Sequence, residues 1–251
     1  SSQIGRKMKI KFVTLNIEHG GQLMGEAISF IKKEDPDILF LQEAQSSDDQ
    51  TDLQHLNTID QLNKTLAYSY HLFAPHYEVE LESVIVKHGN AIFSKFPLTQ
   101  IGQIFFDIPY GTINHEENKK RQDFSQIPQS ILHGTTVIEG REIHLFNVHG
   151  IWGPHGRDTE RRLKMAQTIV NVVKNVPTAI LAGDLNVQPD TKTIAMITDH
   201  LHSVFGTTLT STFNMRRKIN PGYATAAVDM IFVSHDMKVL SSRCEQVEIS
   251  D

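Results

Sequence analysis

The chain has 251 residues, of which 39% are hydrophobic and 21% are charged, and its formal net charge is −5. This composition excludes a disordered or fibrous chain, and the negative charge argues against a surface that is basic throughout, as in histone-like DNA-binding proteins. No Pro-, Gly- or Ser-rich linker divides the chain, so we predict a single domain over residues 1–251. We expect residues 1–7, which precede Met8, to be foreign to the natural chain.

The first part of the chain predicts a strand, a helix and a second strand. β-Branched and aromatic residues alternate over residues 9–16, and apolar residues then recur at helical spacing from Leu23 to Ile31. Pro36 is a stop signal for that helix. Residues 38–41 form a continuous apolar run that is typical of a strand buried on both faces.

The middle of the chain is rich in short strands. Five segments predict strands, namely residues 83–86, 91–93, 101–106, 130–138 and 142–148. Gly89-Asn90 separates the first two, and Glu139-Gly140-Arg141 between the last two is a hairpin signal. Residues 107–128 are polar, and we expect them to form a long loop.

The C-terminal part alternates helices with strands. Asp158 is a good N-cap for a helix with an apolar stripe from Leu163 to Val173, which Pro177 ends. Residues 178–182 predict a buried strand, Asp190 is a candidate cap for the next helix, and residues 228–233 and 246–249 predict two further strands. Strands outnumber helices, which favours a large mixed sheet, or two sheets, covered by helices.

Polar residues stand where several of these apolar strands end. Asn16 and Glu18 follow the first strand, Glu43 the second, His149 the hairpin and Asp184 the next strand. Taken singly, each has an ordinary explanation, such as a turn, a helix cap or a core histidine. Taken together, they favour a functional site, because carboxylates, amides and an imidazole at the ends of buried strands are costly unless a ligand satisfies them.

The residue types favour a hard divalent cation. Carboxylates such as Glu43 and Asp251, with a single cysteine and no paired-histidine helix motif, suit Mg²⁺ or Mn²⁺ better than Zn²⁺. Such a cation polarises a phosphoryl oxygen, while a carboxylate orients or deprotonates water and an imidazole or amide holds the phosphoryl oxygens. The sequence therefore predicts Mg²⁺- or Mn²⁺-dependent hydrolysis of a phosphoester.

Short motifs occur in a fixed order along the chain. They are Thr14-Leu15-Asn16-Ile17-Glu18, Leu41-Gln42-Glu43, Gly89-Asn90-Ala91-Ile92-Phe93-Ser94, Asn147-Val148-His149, Gly183-Asp184-Leu185-Asn186, Val228-Asp229-Met230-Ile231-Phe232 and Ser250-Asp251. In this order they resemble the motifs of the endonuclease/exonuclease/phosphatase superfamily, which includes the DNase I-like nucleases. The resemblance covers nearly the whole chain and implies an α+β fold, a four-layered αββα sandwich in which helices flank two mixed β-sheets.

The resemblance also implies a role for each motif position. Glu43 would be the main metal ligand, Asn16 would help to place the metal and the phosphate, and Glu18 stands where a second acidic ligand is expected. Asp184 would align or activate the attacking water, and Asn186 would contact the phosphate in the transition state.

The remaining motif positions complete the implied catalytic set. His149 would bind a phosphate oxygen or assist the leaving group, and Asp229 would support the site through hydrogen bonding. Asp251, a candidate for both catalysis and metal binding, belongs to a motif that in the family reads Ser-Asp-His, but this sequence stops before the histidine. We expect the natural chain to continue beyond Asp251.

The loop that follows His149 supplies candidate substrate-binding groups. Trp152 offers an aromatic plane for stacking a base, and Arg157 offers a guanidinium for a phosphate. Trp152 packed beneath the loop as part of the core is an equally good interpretation. The basic triplets at residues 119–121 and 216–218 mildly favour nucleic acid, although solvated loop charge is the commoner explanation of such triplets.

The predicted function is therefore that of a phosphodiesterase or nuclease acting on nucleic acid or nucleotides. A phosphatase or phosphodiesterase of sugar or lipid phosphates stays open, as does a non-catalytic binding member of the family. No segment has the roughly 20 apolar residues that a membrane helix needs. We expect a monomer, and the lone Cys244 favours the cytoplasm, with secretion as the open alternative.

Overall fold

Two β-sheets lie face to face in the computed structural model, which describes residues 8–48, 56–81, 83–214, 216, 226–245 and 247–248. Within these residues the strands are β1 Phe12–Asn16, β2 Ile38–Ser47, β3 Tyr70–Leu81, β4 Val84–Ser94, β5 Thr99–Phe105, β6 Gly111–Thr112, β7 Ser130–Ile138, β8 Arg141–His149, β9 Ala179–Asp184, β10 His202–Ser203 and β11 Asp229–Val233. The helices are α1 Glu18–Gly21, α2 Met24–Glu34, α3 Thr58–Thr65, α4 His115–Arg121, α5 Glu160–Val173 and α6 Lys192–Thr198.

Both sheets mix parallel and antiparallel pairs. The five-stranded sheet has the order β1-β2-β4-β3-β6, and the six-stranded sheet has the order β10-β11-β9-β8-β7-β5. The pairs β1/β2 and β8/β9 are parallel, so that each pair ends at one edge of its sheet. This arrangement brings the residues that follow these strands together.

The core is divided into layers by the two sheets. Apolar side chains from both sheets meet between them, including Phe40, Ile92, Leu132, Leu145 and Ile180. The outer face of the five-stranded sheet packs against α2 and α3, with Leu39, Phe93, Ile31 and Leu62 in contact. The outer face of the six-stranded sheet packs against α5 and α6, with Phe146, Leu181, Ile169 and Ile197 in contact. The predicted four-layered αββα sandwich is confirmed.

In the part of the chain described, no helix is both long and apolar enough to cross a bilayer.

The helix predicted after Asp158 is present, but its cap is a different residue. Thr159 is the N-cap of α5, and its hydroxyl accepts the N–H of Arg162 at 3.2 Å. The Asp158 carboxylate instead accepts the backbone N–H groups of Lys192 and Thr193, at 3.0 and 2.8 Å. Asp158 therefore joins the start of α5 to the start of α6, and its prediction as the α5 cap is wrong.

The cap of α6 is also shifted by one residue. Thr191 caps this helix and accepts the N–H of Ile194 at 3.4 Å, whereas Asp190 pairs with Arg157. Threonine and aspartate are both favoured N-cap residues, so the residue types alone do not exclude either neighbour.

The hairpin of β7 and β8 agrees with its prediction. Ile138 pairs with Arg141 across a two-residue turn, in which Glu139 and Gly140 both have positive φ angles, 50° and 78°. These are the conformations of the tight hairpin turn that matches the twist of the strands.

The strands predicted on either side of Gly89-Asn90 are one strand, β4, with both residues inside it. A Cβ atom at Gly89 would lie 2.1 Å from the carbonyl oxygen of Ala74 on β3. The glycine therefore permits a close approach of two backbones beside the irregularity in β3 between Pro75 and Tyr77. The sequence signal was correct, but its interpretation as a strand break was wrong.

Four other segments also differ from the sequence predictions. The segment predicted as a loop at 107–128 contains β6 and α4, with Asn114 as the helix cap. Neither α3 nor β3 was predicted. Of the strand predicted at 246–249, Val247 and Glu248 are not in a strand, and the other two residues lie outside the described part.

A side-chain amide joins the two sheets at the centre of the sandwich. Asn147 on β8 donates to the carbonyl oxygens of Leu41 and Ala91 in the other sheet, at 2.9 and 2.8 Å. Its own amide oxygen accepts from Gln42 Nε2 at 2.7 Å. All three of these hydrogen bonds join fully buried residues, where such bonds strongly favour one arrangement of the two sheets.

Candidate active site

Polar side chains from both sheets meet at the edge where β1, β8 and β9 end. Asn16 ends β1, and its amide nitrogen donates to Glu43 Oε1 on β2 at 3.0 Å and to Asp184 Oδ2 at the end of β9 at 3.1 Å. The amide oxygen of Asn16 accepts the N–H of Glu18 at 3.0 Å, which fixes the orientation of the amide. One amide therefore links a carboxylate of each sheet.

Glu43 lies at an irregularity of its strand. The pairing of β2 with β4 shifts register between Leu41 and Ala44, and Glu43 there has a φ angle of 59°. A bulge of this kind redirects a side chain, and a non-glycine residue in the left-handed region is costly unless its surroundings hold it. The bulge thus turns the Glu43 carboxylate towards the strand ends.

The surroundings of Glu43 favour its ionised form. Burial alone would raise the pKa of this carboxyl, but the nearby imidazoles of His19 and His149, with hydrogen bonds from His19 and Asn16, bring the pKa below its ordinary value. The backbone N–H of His19 donates to Glu43 Oε2 at 2.8 Å. Glu43 is therefore an anion held in place by two donors.

Asp184 is buried and is oriented by Asn186. The N–H of Asn186 donates to Asp184 Oδ1 at 2.8 Å, and the Asn186 amide donates to the carbonyl of Gly150 at 3.0 Å. Asn186 has a left-handed φ angle of 55°, a conformation that asparagine tolerates better than most residues. The loop after β9 therefore presents both its carboxylate and its amide at the strand ends.

His149 completes the buried part of the cluster. Its Nε2 atom lies 3.8 Å from Asp184 Oδ2, and among the described residues its Nδ1 atom has no hydrogen-bond partner. The ring of His76 contacts it edge to face, with the ring centroids 5.8 Å apart. Burial, followed by the proximity of His149, lowers the pKa of His76 well below its ordinary value. A neutral imidazole therefore lies behind His149.

Asp229 is the neighbour of Asp184 in the next strand. The two residues are paired across β11 and β9, and Asp229 Oδ2 accepts the hydroxyl of Thr212 at 2.6 Å. The same hydroxyl oxygen accepts the N–H groups of Val228 and Asp229, at 3.1 and 3.2 Å. Asp229 is thus anchored beside the cluster.

Two further acidic residues, Glu18 and Asp251, were predicted as metal ligands. Glu18 is partly exposed, has a φ angle of 51°, and is tied to Asn16 through its backbone N–H. Asp251 lies outside the described residues. The predicted roles of both as metal ligands stay predictions.

Besides Asn16, the two residues predicted to bind substrate, Trp152 and Arg157, already have partners within the chain. The Arg157 guanidinium donates to both oxygens of Asp190, at 2.8 and 2.9 Å. Trp152 is partly buried, and its ring meets that of Phe124 edge to face at 5.4 Å. Nη1 of Arg157 is therefore already paired with Asp190, whereas part of the Trp152 surface stays exposed.

The segment between β5 and β7 covers one side of the site. His115, at the start of α4, contacts His19 edge to face at 4.8 Å, and Phe124 lies between His115 and Trp152. The basic triplet at 119–121 ends α4 and is exposed. Of the second triplet only Arg216 is described, and it pairs with Glu248.

Several groups in and around the site carry no signal in the sequence. His19 and Asn186 each hold a carboxylate with a backbone N–H, a group that every residue except proline has, and Thr212 lies in an irregular loop. His76 and Arg162 lie inside elements with ordinary patterns. Only Asn186 was selected, and that was through the family motif.

The side chains at the strand ends could hold a divalent cation through few protein ligands. Glu43 supplies an ionised carboxylate, and Asp184 lies close by on the same amide. Among the described residues, no group of three or more His, Cys, Asp or Glu side chains forms a metal cage. A site with few protein ligands fits Mg²⁺, which keeps several waters and binds through one or two carboxylates and the phosphates of its substrate.

Comparisons with known proteins give the family and the fold of this chain. The model of the endonuclease/exonuclease/phosphatase family matches residues 13–251. A search of curated proteins finds no match.

Solved structures give the same fold at low identity. An endonuclease/exonuclease/phosphatase from Beutenbergia cavernae DSM 12333 is 20% identical, with a TM-score of 0.68 over 92% of this chain and 66% of that one. Truncated TDP2 from Caenorhabditis elegans is 18% identical, with a TM-score of 0.59 over 90% and 83%. A mannosyl-6-phosphatase from Bacteroides thetaiotaomicron VPI-5482 is 16% identical, with a TM-score of 0.61 over 91% and 86%. At such identities the likeness extends to the fold alone.

Proposed function

Because this chain belongs to the endonuclease/exonuclease/phosphatase family, we propose that it is a phosphoester hydrolase that uses Mg²⁺ or Mn²⁺ and acts on nucleic acid or nucleotides. The observation that carries the proposal is the amide of Asn16, which donates to Glu43 from one sheet and to Asp184 from the other. Two carboxylates with fixed orientation at one strand edge are suited to hold a cation and to direct a water molecule.

Glu43 is the residue that would hold the cation. Its carboxylate is ionised and fixed by the donors Asn16 and His19. When bound, the cation would polarise a phosphoryl oxygen and offset the negative charge that develops on it. Asn16 keeps the carboxylate in the orientation that binding requires.

Asp184 is the candidate general base. It is buried, and its two oxygens accept from Asn186 N–H and from the Asn16 amide, so that its remaining lone pairs have a fixed direction. A carboxylate held in this way orients the attacking water and accepts its proton. Asp229, anchored by Thr212, supports the position of Asp184 from the neighbouring strand.

His149 and Asn186 are the candidate donors to the phosphoryl group. Both are buried at the strand ends beside Asp184. Hydrogen-bond donors that are already oriented in the resting protein stabilise the charge on phosphoryl oxygens, because they need not reorganise during the reaction. The neutral ring of His76 restrains His149 from behind.

The proposed cation dependence has a direct test. We expect EDTA to abolish turnover of bis-p-nitrophenyl phosphate, and Mg²⁺ or Mn²⁺ added in excess to restore it, because Glu43 and Asp184 alone cannot neutralise the phosphoryl oxygens. EDTA saturated with Mg²⁺ beforehand is the control and should leave the rate unchanged. Full turnover after exhaustive chelation would contradict the proposal. A protein that is inert on a broad phosphoester panel and binds no cation in titration would support the non-catalytic alternative.

The substrate class is supported by the exposed part of Trp152 beside the site. A partly exposed aromatic ring next to phosphate-binding groups suits a nucleobase. A sugar or lipid phosphate is the alternative, and the mannosyl-6-phosphatase among the similar structures is the observation in its favour. Both classes use the same phosphoryl site, so that the loops decide between them.

Substitution of Trp152 distinguishes a role in stacking on a base from a role in packing against Phe124. For a dinucleotide substrate we expect Trp152→Ala to raise KM by about tenfold, the scale of one base–aromatic stacking contact. We expect kcat to change little, because stacking binds the ground state and the transition state alike. Trp152→Phe is the matched control, which keeps an aromatic plane and should have a KM near that of the wild type. An unchanged KM in Trp152→Ala would assign Trp152 to packing against Phe124 and would favour the sugar-phosphate alternative.

A further inference from the structure

Arg162 is a charged side chain inside the helix layer that supports the site. It lies in α5, where only 1% of its surface is exposed, and it heads the largest fully buried side chains of the protein. Its neighbours Met165 and Ala166 on the same helix belong to the apolar core. A buried guanidinium is costly unless its N–H groups are paired, so its partners indicate what it does.

The guanidinium donates to four backbone carbonyls. Nε donates to Ile151 at 3.0 Å, Nη1 to Arg157 at 2.6 Å, and Nη2 to Gly153 at 3.0 Å and to Asn186 at 2.7 Å. Three of these carbonyls lie in the loop that follows β8, and the fourth lies in the loop that follows β9. One side chain therefore ties together the two loops that extend from His149 and Asp184.

Asn186 is the residue at which the two loops are joined. Arg162 holds the carbonyl of Asn186, while the Asn186 side chain donates to Gly150 in the neighbouring loop at 3.0 Å. The N–H of Asn186 holds Asp184 at 2.8 Å. Asn186 has a left-handed φ angle of 55°, which asparagine tolerates, and these contacts hold it in that conformation.

The loop after β8 has a glycine, Gly153, where the guanidinium of Arg162 lies against it. A Cβ atom at Gly153 would lie 3.2 Å from Nη2 of Arg162, so that a larger residue would press on the guanidinium. The planar fork of arginine donates in several fixed directions at once, which the single ammonium of lysine cannot do. The geometry therefore selects arginine at this position.

We propose that Arg162 is a positioning residue of the active site, which holds the loops after β8 and β9 together and thereby orients the Asn186 amide and the Asp184 carboxylate. This inference rests on the proposed phosphoester hydrolysis for its effect on rate. The inference has a structural half, which is that Arg162 orients Asn186, and a kinetic half, which is the effect on rate. The structural half does not depend on any substrate. An apolar side chain would fill the same space without the cost of burying a charge, and this difference argues that the guanidinium is kept for its directional donors.

The structural half is tested by hydrogen exchange of side-chain amides in the substrate-free protein. In Arg162→Met we expect the Asn186 amide protons, followed by NMR, to exchange at least about tenfold faster, as for a segment that opens locally. The Asn147 amide, which donates to Leu41 and Ala91 between the sheets, should keep its protection. Arg162→Lys should lie between Arg162→Met and the wild type, because it keeps the charge but loses the fork.

Arg141→Met is the matched control. It removes a guanidinium at the opposite end of β8, where Arg141 pairs with Asp236. We expect no change at Asn186 in this variant. Equal loss of protection at Asn147 and Asn186 in the Arg162 variants would reveal general destabilisation and overturn the proposal, as would unchanged exchange at Asn186. If Arg162→Met does not fold, Arg162→Lys decides by the same criteria.

The kinetic half is measured on the same variants. We expect kcat of Arg162→Met to fall about 100-fold, the scale of an ångström-level misplacement of a reacting group. KM should stay within about twofold, and cation affinity should be unchanged, since Glu43 is held by Asn16 and His19. A wild-type protein without phosphoesterase activity would refute the proposed function, while the amide exchange would still decide the positioning of Asn186. A normal kcat despite a mobile Asn186 amide would overturn the catalytic importance of Arg162.

Discussion

Glu43→Gln is expected to lower the affinity for Mg²⁺ or Mn²⁺ by at least about 100-fold, since even an outer-shell partner of a metal ligand contributes about 10- to 100-fold. The change keeps the size of the side chain and removes its charge. It also places an amide NH₂ where Glu43 now accepts from Asn16 Nδ2 or from His19 N–H. Isothermal titration with Mn²⁺ measures the affinity directly and needs no substrate.

Glu78→Gln is the matched control for this loss of charge. Glu78 on β3 also accepts two hydrogen bonds, from Tyr110 and Thr112, but it has no contact with the strand ends of the site among the described interactions. Its variant should bind Mn²⁺ as the wild type does. Equal affinities in Glu43→Gln and the wild type would remove Glu43 from the proposed cation site.

Asp184→Asn is expected to lower kcat by about 10²- to 10⁴-fold, the contribution of a well-placed general base. The asparagine cannot accept a proton from water, and its NH₂ group would face the donor of either Asn186 or Asn16. The affinity for the cation should fall less than in Glu43→Gln. Single-turnover rates at saturating cation separate the chemical step from binding.

Asp199→Asn provides the control for the second substitution. Asp199 is exposed at the end of α6, and we expect its variant to have a normal kcat. Near-normal rates in both Glu43→Gln and Asp184→Asn would refute the assignment of the site as a whole. A loss of rate in Asp184→Asn with a lower melting temperature would instead indicate that Asp184 stabilises the fold.

The parts of the fold that were predicted correctly are those with a local cause. The β7–β8 hairpin follows from two apolar runs around Glu139-Gly140, and α5 follows from its apolar stripe. Gly89 shows the limit of such signals. Its role depends on the backbone of β3, which packs beside it but is distant in the chain, and no local pattern reports that contact.

The candidate site divides in the same way. Asn16, Glu43, His149 and Asp184 were selected from the sequence because their side chains follow apolar strands, and the structure brings these four together. The bulge at Glu43 was not predicted, since a glutamate in the left-handed region has no sequence signature. Arg162 was missed as well, because an arginine in an amphipathic helix is ordinarily expected on the solvent side.

The amide of Asn147 lets an outer segment of this protein vary in sequence without altering the distance between the two carboxylates of the site. Because it fastens Leu41 and Ala91 of one sheet to β8 of the other, the spacing between the Glu43 side and the Asp184 side is set deep in the core. The segment at 106–129 lies outside this connection between the sheets, whereas the loop at 150–157 is tied to Asn186 through Arg162. Insertions or substitutions in the segment at 106–129 can therefore reshape the rim of the site for a new substrate while the distance between the two carboxylates stays the same.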